Sequence, residues 1–184
     1  MLTPDLVQTL SVEEFDRIAL LPENTERRLE YIAGRVIELV SNHESSRLGM
    51  YIGGRMSVVA EDNDLGFVTG ADGGYRVNKQ RCIPDAAFIS KARQPVPSKE
   101  AYNPLAPDIA VEVLSPTNDP DDVRDKIVNY LVAGTIVWFV NPEKRQVTVY
   151  KPGQNPHILT INDTLDGGEL LPGFSLNLRT LFTR

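Results

Sequence analysis

Apolar and polar positions along the chain repeat with two periods, and the switches between them divide it into elements. Ser11, with Glu14 three residues on, has the spacing of a capping box and opens a short helix that stops near Pro22. Leu29-Glu30-Tyr31-Ile32 and Val36-Ile37-Glu38-Leu39-Val40 flank Ala33-Gly34 and predict a β-hairpin. Over residues 45–60, Leu48, Ile52, Met56 and Val59 recur three or four apart, which is a helical period. The pair Gly53-Gly54 within it either weakens the helix or marks a close neighbour. Phe67-Val68-Thr69 and Tyr75-Arg76-Val77, joined across Asp72-Gly73-Gly74, predict a second hairpin. Strands follow over residues 83–89 and 109–114, with a loop rich in Pro, Ser and Lys over 91–107 between them. Residues 121–133 carry the fullest set of helix signals. Asp119 is the N-cap, Pro120 takes the first helical position, Asp121 and Asp122 lie at the positive end of the dipole, and Gly134 is the stop. Residues 136–140 and 146–150 form a further hairpin around Asn141-Pro142, residues 157–161 a strand, and 178–182 a closing helical turn. With no internal repeat, this order predicts an α/β domain (α+β-like in detail) with a mixed central sheet flanked by helices.

At 184 residues, the chain reads as a single domain over 1–184. Hydrophobic residues at 41% and charged residues at 24% exclude a wholly disordered protein. A net charge of −6 argues against coating nucleic acid with bulk positive charge, but not against meeting phosphates through a metal and a few cations. The single cysteine, Cys82, excludes an intramolecular disulfide and fits a reducing compartment. The first thirty residues lack a secretory pattern, and apolar runs such as 136–140 fall far short of the roughly 18 residues of a membrane span. The expectation is a soluble, cytoplasmic protein with no membrane partner.

Candidate chemistry lies in acids that interrupt apolar strands. Alternation over 83–89 puts Ile83, Asp85, Ala87 and Ile89 on one face, and Glu112 shares a face with Ala110 and Leu114. Glu30 is likewise acidic within Leu29-Glu30-Tyr31-Ile32. A carboxylate in such a place is costly unless solvated or paired. If the three converge, their repulsion calls for a hard cation, and oxygen ligands suit Mg2+ or Mn2+. Each acid by itself also reads as an exposed or salt-bridged residue. On the helix over 121–133, Val123, Ile127, Tyr130, Leu131 and Gly134 make the core face, with Lys126 on its border. From there the ammonium either reaches the strand ends or pairs with Asp122 on the surface at i, i+4.

Two histidines and one cysteine are too few for a usual structural zinc site, and no G-x-S-x-G elbow is present. His43, after Ser41-Asn42 and just before a helix, reads as exposed or capping in preference to catalytic. Arg76, Lys79 and Arg81 could steer a phosphate backbone or be solvated strand-end charges.

Pro84-Asp85, followed twenty-seven residues later by Glu112, resembles the PD-(D/E)xK nuclease signature. More narrowly, the chain resembles the restriction-endonuclease-like Uma family of nucleases. The resemblance runs over Leu29 to Val36, Ile83 to Ser90, Pro107 to Pro116, Lys126 to Tyr130, Ala133-Gly134, Trp138 to Pro142 and Leu171-Pro172-Gly173-Phe174. It implies a restriction-endonuclease-like fold and a metal-dependent endonuclease acting on DNA, with a homodimer as the expected assembly. Asp85, Glu112 and the Val113 carbonyl would hold Mg2+ or Mn2+, and Glu30 would be a further ligand or an acid behind them. The parent signature places its lysine two residues after the glutamate, where this chain has Leu114. The resemblance implies that the lysine has moved to the next helix, at Lys126, to orient the attacking water or stabilise the transition state. The alternative is a nuclease-fold, nucleic-acid-binding module with weak or no catalysis.

Overall fold

A computed structural model describes residues 9–183 of the chain. The first elements are α1 (Val12–Ala19), a short 3-10 turn at Pro22–Asn24, β1 (Leu29–Ile32), β2 (Arg35–Glu38) and α2 (His43–Asp62). Then come β3 (Gly66–Thr69), β4 (Gly74–Val77), β5 (Gln80–Cys82), β6 (Ala86–Ser90), β7 (Tyr102–Asn103) and β8 (Ile109–Val113). The remainder is α3 (Pro120–Val132), β9 (Ile136–Asn141), β10 (Gln146–Tyr150), β11 (His157–Leu159), β12 (Thr164–Asp166), β13 (Ser175–Asn177) and α4 (Leu178–Thr183).

A six-stranded mixed sheet in the order β11-β10-β9-β8-β6-β3 forms the centre. All its neighbours are antiparallel except β8 and β9, which run parallel because α3 carries the chain back between them. One face is covered by α2 and the C-terminal elements. Leu48, Ile52 and Met56 pack with Phe88, Val111 and Trp138, and Leu165, Phe174 and Leu181 complete that core. The other face packs against α3 and a five-stranded sheet, β2-β1-β5-β4-β7, through Ala87, Ala110 and Val137 against Tyr75, Val77 and Tyr130.

Local signals do what their chemistry dictates. Ser11 Oγ accepts the Glu14 N–H at 3.2 Å while the Glu14 carboxylate accepts the Ser11 N–H at 2.8 Å, which completes the capping box of α1. Ala33 and Gly34 both take positive φ, 49° and 87°, as a two-residue hairpin turn requires. In α2, Asn42 Oδ1 accepts the Ser45 N–H at 2.9 Å, so the helix begins two residues earlier than expected and His43 is its exposed first residue.

Two expectations fail. The hairpin joining residues 67–69 to 75–77 does not form: β3 pairs with β6 in the central sheet, whereas β4 pairs with β5 and β7 in the other. Tyr75 and Val77 bury fully in the second layer, so separate long-range partners outweigh the local pairing. The strand expected over 83–89 is also broken. Ile83-Pro84-Asp85 is a bend between β5 and β6, because Pro84 has no N–H to carry a ladder forward. The antiparallel pair β12–β13 has no counterpart in the sequence expectation.

Candidate active site

The bend before β6 takes Asp85 out of strict alternation and sets it between two elements. Its N–H donates to the Val111 carbonyl at 3.0 Å, and its Oδ2 accepts the Val113 N–H at 2.7 Å, so it caps the β8 edge just past the last β6–β8 partners. On the other side stands α2, where a Cβ at Gly49 would come within 2.8 Å of the Asp85 Cβ. Glycine at 49 is what lets the helix approach the acid this closely.

Glu112, Glu30 and Lys126 meet on the α3 side of the central sheet. Lys126 Nζ donates to Glu112 Oε2 at 2.8 Å and to Glu30 Oε1 at 2.9 Å, and Glu30 Oε1 also accepts the Ile83 N–H at 2.6 Å. Tyr130, one turn after Lys126 on α3, donates its hydroxyl to Glu112 Oε1 at 3.0 Å. Glu30 is 2% exposed and Lys126 9%. Lys126 is therefore a centre of the buried face of α3, with Tyr130, rather than its border. The surface alternative for Lys126 does not form, since Asp122 pairs with Arg35 instead. Asp85, Glu112, Val113, Lys126 and Glu30 line one cavity of about 160 Å³.

Burial dominates the electrostatics. It raises the Glu112 carboxyl to about 7, against the pull of Lys126 and with added repulsion from Glu30 and Asp85. Burial also raises Asp85, opposed by the Val113 N–H. Desolvation works against the Lys126 ammonium, but the Glu112 and Glu30 carboxylates outweigh it and hold its pKa well above the usual lysine value. The group that stays charged is the lysine, so it is a cation in the site and not a base.

Stability in EDTA is accordingly expected to fall as pH rises from about 4.5 to about 7. Glu112 keeps its proton to about 7 when folded and to about 4.5 when unfolded, so the folded state binds more protons in that window. The effect is at most about 3 kcal/mol. Urea unfolding at several pH values reads it, and Glu112→Gln should remove that component. A variant with the wild-type pH slope would show that Glu112 is not its source.

Among the described residues, no three His, Cys, Asp or Glu side chains come together closely enough to hold a metal by themselves. The candidate donor set is instead two carboxylates, Asp85 and Glu112, and the Val113 backbone carbonyl. Asp85 Oδ1 accepts no hydrogen bond from the described residues, and the Val113 carbonyl points to the same strand edge as the N–H that Asp85 accepts. That set fits Mg2+, which commonly takes one or two carboxylates and completes its shell with water and substrate oxygens.

The other candidates lie elsewhere. Arg81 is buried in a bidentate pair with Asp16, and Arg76 pairs with Glu100 at the surface, which leaves Lys79 as the member of that basic stretch with no ion pair among the described residues. Cys82 is fully buried, and burial pushes its thiol well above the usual value, so it is inert. By periodicity Tyr130 reads as a core residue, and the family resemblance includes it without giving it a role. Its spacing of four from Lys126 was the available signal, because i and i+4 share a helix face.

The family model Uma2, described as "Putative restriction endonuclease", matches residues 12–179. No curated protein matches the chain. Among solved structures, a protein from Anabaena variabilis described as a "putative nuclease belonging to DUF820" superposes with a TM-score of 0.82. The alignment covers 94% of this chain and 97% of that one at 22% identity, a likeness of fold. Among the described residues, no helix is long and apolar enough to cross a membrane.

Proposed function

The chain belongs to the Uma2 family, and from that premise we propose that it is a single-domain, metal-dependent endonuclease that hydrolyses phosphodiester bonds in DNA. The observation that carries this reading is one cavity in which Lys126 bridges Glu30 and Glu112 beside Asp85. It supports the lysine on α3 as the replacement for the one absent at Leu114, because the ammonium lies 2.8 Å from the carboxylate that the signature pairs with it.

Asp85, Glu112 and the Val113 carbonyl would hold Mg2+ or Mn2+. When bound, the ion supplies Lewis-acid chemistry, making water more acidic and neutralising charge on the phosphate. Lys126 has three N–H donors, of which Glu30 and Glu112 take two. The third is left for the attacking water or a phosphate oxygen, where a fixed positive charge favours the transition state over the ground state. Glu30 fixes the lysine from behind and is itself fixed by the Ile83 N–H. Tyr130 sets the rotation of the Glu112 carboxylate. Removing any of these leaves the remaining charges poorly aimed.

Purified protein should be incubated with supercoiled DNA, single-stranded DNA and a structured RNA, each in Mg2+, Mn2+ or EDTA. The expected result is DNA cleavage in metal and none in EDTA. Cleavage of RNA alone would overturn the substrate, and cleavage unaffected by EDTA would overturn the metal.

A further inference from the structure

Of the side chains around the cavity, Arg28 is the one cation besides Lys126, and the network described above does not use it. No carboxylate forms a salt bridge with it among the described residues. Its guanidinium reaches only the Ala71 and Leu39 carbonyls, both at 3.5 Å, the outer limit of a hydrogen bond. A guanidinium has five donors, so most of this group's capacity is unspent. Its charge is felt at Asp85, which it helps to keep ionised, so the guanidinium lies within electrostatic reach of the metal-ligand candidates.

The same cavity receives the N-terminal turn of the 20-residue helix α2. Ser45 in that turn is 3% exposed and lines the cavity, yet its hydroxyl makes no hydrogen bond with any described residue. Since no fully enclosed side-chain polar atom among the described residues lacks a partner, this hydroxyl opens onto the cavity. A hydroxyl that faces the cavity with no partner among the described residues, an under-used guanidinium and the positive end of a long helix together make an oxyanion site.

We infer that Arg28 and Ser45, at the N-terminal turn of α2, bind a backbone phosphate of the nucleic acid next to the one that is cleaved. The inference rests on the nuclease reading and gives it an anchor for substrate on a protein of net charge −6. The carboxylates across the cavity repel a free anion, so the subsite takes phosphate as part of a chain and not as an isolated ion.

The test uses a fluorescein-labelled DNA duplex and a labelled single strand, both in Ca2+, with anisotropy titrations over a range of NaCl concentrations. Arg28→Gln keeps donors for the two carbonyls but removes the charge. It should weaken binding about tenfold, the loss of one charge-assisted contact, and reduce the salt slope by about 1. Arg28→Lys should restore the slope, and Ser45→Ala should weaken binding about threefold without changing it. Mn2+ affinity, read by calorimetry, should stay within about twofold for Arg28→Lys and Ser45→Ala, which keep the charge beside Asp85 and remove no metal ligand. A purely structural arginine would lower the melting temperature but leave the salt slope alone. If Arg28→Gln keeps the wild-type affinity and slope, the subsite is overturned while the nuclease reading stands. If the wild type binds neither oligonucleotide at any salt concentration, both fall.

Discussion

Asp85→Asn is expected to abolish metal-dependent cleavage, by about 1,000-fold or more, while leaving the metal-free fold at least as stable as the wild type. The asparagine keeps an oxygen to accept the Val113 N–H, now held at 2.7 Å, so the β8 edge stays capped. What it loses is a charge that burial already disfavours, which is why the metal-free protein does not suffer. The activity loss follows from losing a charged ligand: several kcal/mol of phosphate charge stabilisation depend on the ion, and each 1.36 kcal/mol is a factor of ten in rate. Two measurements separate these effects. In EDTA, the melting temperatures of variant and wild type should agree within a few degrees. With Mn2+ at 100 times its wild-type Kd, the wild type should gain about 2.7 kcal/mol and the variant much less. A variant that keeps the whole Mn2+ stabilisation and still cleaves DNA would remove Asp85 from the site.

Lys126→Met should have the largest effect on stability. Methionine nearly fills the space of the lysine stem, so the change isolates the ammonium. Without it, Glu30 and Glu112 face each other in a buried pocket, and breaking such a pair costs about 3–5 kcal/mol at pH 8. The deficit should shrink as pH falls. Burial already raises Glu112 to about 7, and removing the lysine raises it further. The variant therefore loses stability as pH rises from the ordinary carboxylate range through that raised value, and regains it in acid, where Glu112 carries its proton and can donate to Glu30. Adding Glu112→Gln to Lys126→Met should recover more than half of the loss at pH 8, because one of the two opposed charges is gone. Cleavage by the single variant should fall by a factor of about 100 to 1,000, the usual cost of one transition-state donor. Wild-type stability of Lys126→Met at pH 8 would mean that the carboxylates are not held by the ammonium.

Sequence by itself determined the elements whose signals are local. Ser11 and Glu14 specify a cap through atoms three residues apart, Ala33-Gly34 specify a turn through their own backbone angles, and Asp119, Pro120 and Gly134 mark both ends of α3. It also singled out Glu30, Asp85, Glu112 and Lys126, because charge among apolar neighbours needs an explanation before any neighbour is known. The tertiary structure alone decided what those charges face. Periodicity reports which side of an element a residue occupies but not what stands opposite, so Lys126 read as a border residue when it is a buried counter-charge to two acids on two different strands. Tyr130 read as core because its hydroxyl partner, Glu112, comes from another element. Gly49 carries no signal of its own in the sequence, and only the packing of α2 against Asp85 gives it a reason. The split of β3 and β4 into separate sheets has the same origin. Strands of four residues gain little from a local hairpin, and the burial that chooses their partners is settled only when distant parts of the chain pack together.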